Sequence, residues 1–182
     1  DHTSFKEIFQ TMWIDNRSRS GLGLMLMVAQ SFFYNAVFFT YALALSQFYG
    51  VKNEAVAWYI LPLALGNFVG PLVLGHFFDS IGRKPMIVAT YATSGFLLGV
   101  TAWLFAHGLL AAKTQAICFT VIFFIASSAA SSAYLTVSEV FPLEIRALAI
   151  AVFYSAGTLV GGVGAPYLFG RLIETGSKIS LG

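Results

Sequence analysis

Charge is absent from five long stretches of this chain: 21–51, 55–78, 86–108, 114–138 and 147–170 hold no Asp, Glu, Lys or Arg. A membrane-spanning helix needs about 20 predominantly apolar residues, and each stretch reaches that length. None alternates polar and apolar residues as a membrane β-barrel strand does. The pattern predicts an all-α membrane protein with five transmembrane spans, over 21–49, 55–78, 85–107, 114–138 and 146–170. Ahead of them, Phe5, Ile8, Phe9, Met12 and Trp13 recur at helical spacing on one stripe. Ser4 and Glu7 stand in the capping-box spacing, so a short amphipathic helix lying in the bilayer interface is expected there. Residues 1–20 therefore read as a linker carrying that helix, 21–174 as a helical bundle, and 175–182 as an outer loop running into a sixth span.

Composition agrees with the pattern. The chain is 58% hydrophobic and 10% charged, with a mean hydropathy of +0.79. Soluble domains carry roughly 25% charged residues, so these charges are too few to cover a water-facing surface. Lys and Arg are scattered through short loops and form no groove-sized cluster, which argues against nucleic acid as a partner. The single cysteine, Cys118, has no intramolecular partner for a disulfide. The first apolar run begins after Ser20 and is too long for a signal-peptide core.

Charge asymmetry orients the spans. The side with the N-terminus and the loops after spans 2 and 4 holds Lys6, Arg17, Arg19, Arg83, Lys84 and Arg146; the other holds Lys52, Lys113, Arg171 and Lys178. Six against four favours a cytoplasmic N-terminus. Trp58 and Trp103 fall near the opposite face with Tyr49 and Tyr59, where interfacial aromatics belong.

An internal repeat adds topology. Span 2 contains Gly66-Asn67-Phe68-Val69-Gly70 and span 5 contains Gly157-Thr158-Leu159-Val160-Gly161, an offset of 91 residues. Both segments run on into further Gly and Pro. The offset carries span 1 onto span 4 and projects span 3 onto a sixth span starting near residue 176. Spans 2 and 5 point in opposite directions, as in the inverted three-plus-three repeats of transporters. Glycines four residues apart also let helices approach closely in lipid whatever the function, so Gly66, Gly70, Gly157 and Gly161 are candidate packing residues.

The loop after span 2 reads Gly75-His76-Phe77-Phe78-Asp79-Ser80-Ile81-Gly82-Arg83-Lys84-Pro85. It resembles the G-x-x-x-D-x-x-G-R-[KR] signature of the major facilitator superfamily. The loop after span 4, Ser138-Glu139-Val140-Phe141-Pro142-Leu143-Glu144-Ile145-Arg146, is similar to the E-x6-R element of sugar porters. Together they place the chain as helices 7 to 11 of the C-terminal half, nearest the sugar-porter and metabolite:proton symporter branches. The fold implied is a major facilitator helical bundle, with the last helix of its inverted repeat lacking. The resemblance implies transport of a small solute by alternating access: a sugar, another metabolite or an organic acid, with or without proton coupling. It also implies the bilayer, a small-molecule substrate and an N-terminal half as partners. The location implied is a plasma membrane, the inner membrane in bacteria. A transport-incompetent receptor or sensor relative is the alternative; a membrane-embedded enzyme or channel subunit is a further one.

Sugar porters carry Q-Q-x-[ST]-G-x-N in helix 7. The same frame here is Ala29-Gln30-Ser31-Phe32-Phe33-Tyr34-Asn35, and the departures at Ala29, Phe32 and Phe33 weigh against a hexose site. Ala130-Ser131-Ser132-Ala133-Tyr134 replaces the G-P-x-P-W of helix 10 with an aromatic at the last position only. Polar side chains at membrane depth usually face protein or a cavity, so Gln30, Tyr34 and Asn35 on span 1 and Tyr134 on span 4 are candidate substrate contacts. The serines at 127, 128, 131 and 132 suit helix packing better, and Phe32, Phe33, Phe38 and Phe39 suit core or lipid. Asp79, Arg83 and Lys84, with Glu139, Glu144 and Arg146, are expected to form an inner gate. Gly75 and Gly82 shape its turn, and the gate latches through charge pairing and the positive N-terminal end of span 5. His76 reads as a structural residue of that loop. No span contains a carboxylate, so any proton carrier lies elsewhere. Metalloprotease, hydrolase-elbow and P-loop motifs are all missing, and neither enzyme activity, metal nor cofactor is expected.

Overall fold

A computed structural model describes residues 10, 13–14, 16–141 and 143–174; the side chains of 136–140, 144, 173 and 174 lie outside the description. The helix expected over 4–13 therefore lies largely outside the described residues, as does the segment 175–182. Five helices follow in order: α1 (Arg17–Tyr49), α2 (Asn53–Ser80), α3 (Arg83–Ala106), α4 (Ala112–Val140) and α5 (Leu143–Glu174). All five are long and apolar enough to cross a membrane. The helices outrun the charge-free stretches by a few residues. At 1.5 Å per residue the 33 residues of α1 extend about 50 Å, beyond a hydrocarbon core of about 30 Å. The first turn of α1 carries Arg17 and Arg19, ahead of its charge-free stretch.

Local chemistry ends these helices where turns are needed. Beyond α3, Gly108 takes φ +68°. Its N–H bonds the Phe105 carbonyl at 2.9 Å and the Leu109 N–H bonds Leu104 at 3.0 Å, the two-bond closure that a left-handed residue permits. Pro62, Pro71 and Pro166 sit inside α2 and α5. Membrane helices tolerate them because neighbouring helices re-satisfy the freed backbone groups.

The chain divides into two compact units. One joins Asp1–Asn35 to Ala133–Ala165. Its core is Met27, Phe141, Ile145, Ala149 and Phe153, packed by Trp13, Leu24, Tyr134 and Ile150. Ile145, Ala149, Phe153, Gly157, Gly161 and Ala165 recur every four residues on α5 and all are buried. Toward its C-terminal end this row shrinks to glycine, and there α5 meets α1. A Cβ on Gly157 would lie 2.7 Å from the Met27 carbonyl oxygen, and one on Gly161 would collide with the backbone of Ser31 and Phe32.

The second unit joins Ala36–Ser132 to Pro166–Gly182. Its centre is α4, whose most apolar window is 56% buried against 17% for α2 and α3. Phe119, Ile122, Phe123, Ala126 and Ala129 form its inward row. Phe38 and Tyr41 of α1 meet Phe123 and Phe119 edge-on, each at 4.9 Å between ring centroids. The reversed order of partners shows that the two helices are antiparallel there. Against α2 the order is parallel. A Cβ on Gly66 would lie 2.6 Å from the Thr120 carbonyl oxygen, and one on Gly70 would meet Phe124 and Ser127. Ser127 is thus a packing residue, and Ser128 and Ser132 are buried too, while Ser131 is exposed.

The two glycine pairs occupy equivalent places in the repeat. The second helix of the first trio packs on the first helix of the second trio, and α5 packs on α1 in the reciprocal exchange. Both contacts are parallel, and both bring backbone to backbone. This is the packing expected of a duplicated three-helix unit.

Candidate functional site

The signature loop is a tight connection between α2 and α3. The Ile81 N–H closes α2 on Phe77 at 2.9 Å, and the Ser80 hydroxyl donates to the His76 carbonyl at 3.1 Å. Gly82 then turns the chain at φ +107°. A Cβ there would meet only the Pro85 ring at 3.8 Å, so glycine is needed for the backbone angle and not for space. The Met86 N–H reaches back to the Gly82 carbonyl at 3.3 Å and starts α3. Asp79 and Lys84 are exposed, Arg83 is half-buried, and His76 is exposed beside the Phe77 ring. Around Gly75 there is open space within 4 Å, so its place in the signature does not come from packing within this chain.

The α4–α5 connection is held by apolar side chains. Phe141 is buried, with its ring 5.8 Å from Phe153, and Ile145 is buried beside them. Trp13 approaches Phe153 edge-on at 6.3 Å, docking the segment before α1 onto the same cluster. Arg146, in the first turn of α5, is half-buried, and its Nε has no hydrogen-bond partner among the described residues. The side chains of Glu139 and Glu144 lie outside the described residues, so the pairing expected of them is not described.

Of the candidate substrate contacts, Gln30 and Tyr134 come together. Gln30 and Tyr134 lie in the same unit, within electrostatic reach of each other, and the Gln30 Oε1 is buried without a hydrogen-bond partner among the described residues. Tyr134 also faces Tyr154 of α5 at 6.3 Å, a neighbour missed in the sequence because aromatic residues crowd every span. Asn35 is not part of this group. Its Nδ2 donates to the Ser31 carbonyl at 2.7 Å and to the Ser31 hydroxyl at 3.3 Å, folding the amide onto its own helix. Five residues of α-helix turn through roughly 140°, which separates Asn35 from the face of Gln30. Tyr34 lies against Phe33, 6.0 Å between centroids. Among the described residues, no group of His, Cys, Asp or Glu is arranged to hold a metal ion.

Five helices long and apolar enough to cross a membrane, joined by short loops, make this a polytopic α-helical membrane protein by class. The family described as "Sugar (and other) transporter" matches residues 1–173. The chain belongs to that family, and it is a multi-pass integral membrane protein. No curated protein and no solved structure matches it.

Proposed function

We propose that this chain is the C-terminal part of a secondary transporter that moves a small metabolite by alternating access. The observation that carries the reading is the family match across 1–173; the reciprocal glycine contacts of α2 on α4 and α5 on α1 support it. Alternating access moves closely packed helical bodies against one another around the solute site. Gln30 and Tyr134 are the first substrate contacts in this reading, with Tyr34 one turn further along α1; Asn35, bonded to its own helix, is left out of the site. The loop residues Gly75, Asp79, Gly82, Arg83 and Lys84 act with Glu139, Glu144 and Arg146 as the inner gate, on the cytoplasmic side of a plasma membrane. The other half of the solute path belongs to an N-terminal half of the same protein.

Two measurements on the full-length protein test this. Uptake into proteoliposomes from a panel of neutral, anionic and cationic metabolites should find a carried solute. Gln30→Ala should raise KM for that solute more than it lowers kcat. Asp79→Asn should change cysteine accessibility across the cytoplasmic face, reporting a shift between outward- and inward-open states. No flux with any solute would overturn the transporter reading, and unchanged accessibility would overturn the gate.

A further inference from the structure

The exposed surface of α5 within the first unit is two-sided. Ala151, Tyr154, Ser155 and Thr158 are exposed and fall at i, i+3, i+4 and i+7, one stripe of small and polar residues. Val152, Leu159, Val160 and Val163 are exposed too, and they stand roughly 120–180° round the helix from Tyr154. The apolar stripe suits lipid. The polar one does not, because polar side chains at membrane depth turn to protein or to a cavity.

Tyr154 is the decisive member. It is 52% exposed, and at 1.5 Å per residue it lies about 12 Å beyond Arg146. In a hydrocarbon core of about 30 Å, that is too deep for the interfacial belt where tyrosines otherwise gather. Ser155 and Thr158 can bond a carbonyl one turn back, whereas a phenol hydroxyl stands too far from its own backbone. The Tyr154 ring meets Tyr134 of α4 at 6.3 Å, tilted by 44°. Gln30 of α1 is within electrostatic reach of Tyr134, with its Oε1 buried and unpartnered among the described residues. Two ring faces and an amide oxygen are all electron-rich. No Asp, Glu, Lys or Arg occurs in 21–51, 114–138 or 147–170, so an ion placed here finds no counter-charge on these spans.

We propose that Tyr154 is a specificity-determining contact of the solute site, selecting an uncharged solute that offers an O–H or N–H donor beside an apolar face. The donor bonds Gln30 Oε1, and the apolar face lies on the Tyr154 ring. An anion meets electron-rich groups and no cation, and an ammonium meets no carboxylate, so each loses its hydration without compensation. The assignment rests on the transporter reading above; the exposure of the stripe to water does not depend on which solute is carried.

Two measurements on the full-length protein test it. In a Cys118→Ser background, Tyr154→Cys and Thr158→Cys should react with a membrane-impermeant maleimide about tenfold faster than Leu159→Cys on the opposite face. Equal rates at the three positions would overturn the inference even if transport is found. In proteoliposomes, the carried solute should be uncharged at the assay pH. Tyr154→Ala should raise its KM about tenfold with kcat within about twofold, and Tyr154→Phe, which keeps the ring, should stay near the parent. Tyr154→Leu keeps the bulk without the ring and should raise KM as well, should Tyr154→Ala fail to fold. Parental KM in Tyr154→Ala or Tyr154→Leu, or a carried anion or cation, would overturn the inference and leave the transporter reading standing. Absence of flux from the parent would overturn both.

Discussion

Gly157→Ala probes a backbone contact between α5 and α1. The added Cβ would stand 2.7 Å from the Met27 carbonyl oxygen, 2.9 Å from its carbonyl carbon and 3.3 Å from its Cβ. Carbon and oxygen approach comfortably at about 3.3 Å or more, a deficit of roughly 0.6 Å. The nearest atoms are backbone, so no side-chain rotation relieves it. The helices must part, and the row through Phe153 and Gly161 loosens with them. Such overpacking costs about 1–3 kcal/mol, while the better helix propensity of alanine offsets about 0.8–1 kcal/mol. A net loss of up to about 2 kcal/mol lowers Tm by up to roughly 8 °C for a chain of this size. Gly164, on the same helix, has nothing within 4 Å of its Cβ position. Gly164→Ala therefore keeps the propensity gain alone and should leave Tm level or raise it by about 2–4 °C. Thermal melts of detergent-solubilised protein, followed by circular dichroism, compare the two. Should Gly157→Ala melt at or above the parent, or Gly164→Ala fall as far, the backbone-contact reasoning is refuted.

Other outcomes follow from single contacts. Gly82→Ala places a side chain at φ +107° in open space, so it should lose roughly 1–3 kcal/mol to backbone strain alone; an unchanged melt would contradict this. Tyr41→Phe keeps the edge-on contact with Phe119 but deletes the bond to the Ala112 carbonyl. A loss of about 0.5–1.5 kcal/mol in chemical denaturation is expected. A double-mutant cycle of Gln30→Ala with Tyr134→Phe should show coupling of about 0.5–1 kcal/mol in stability, and strict additivity would separate the pair. Phe153→Ala removes a fully buried ring that touches Trp13 and Phe141. It should cost about 3–5 kcal/mol, read as a large fall in Tm and in the yield of monodisperse protein.

The sequence by itself determined the class. Bilayer thickness forces long charge-free runs, and five such runs leave no other reading for the spans; their helices start and stop within a few residues of the expected positions. The signature loop was legible for a similar reason. Its glycine is needed for a local backbone angle, which nearby residues dictate. Duplication showed in the spacing of Gly66, Gly70, Gly157 and Gly161 because glycine cannot be replaced where two backbones touch. Only the tertiary structure decided which helix each pair touches, since small residues at one spacing suit any neighbour. It also separated Asn35 from Gln30, although both match one linear motif, because an amide can bond its own helix as readily as a ligand. Tyr154 went unread for lack of contrast, as one aromatic among many. Position in the fold gives it meaning, because in a membrane interior a polar group must find its partner on whichever helix lies alongside.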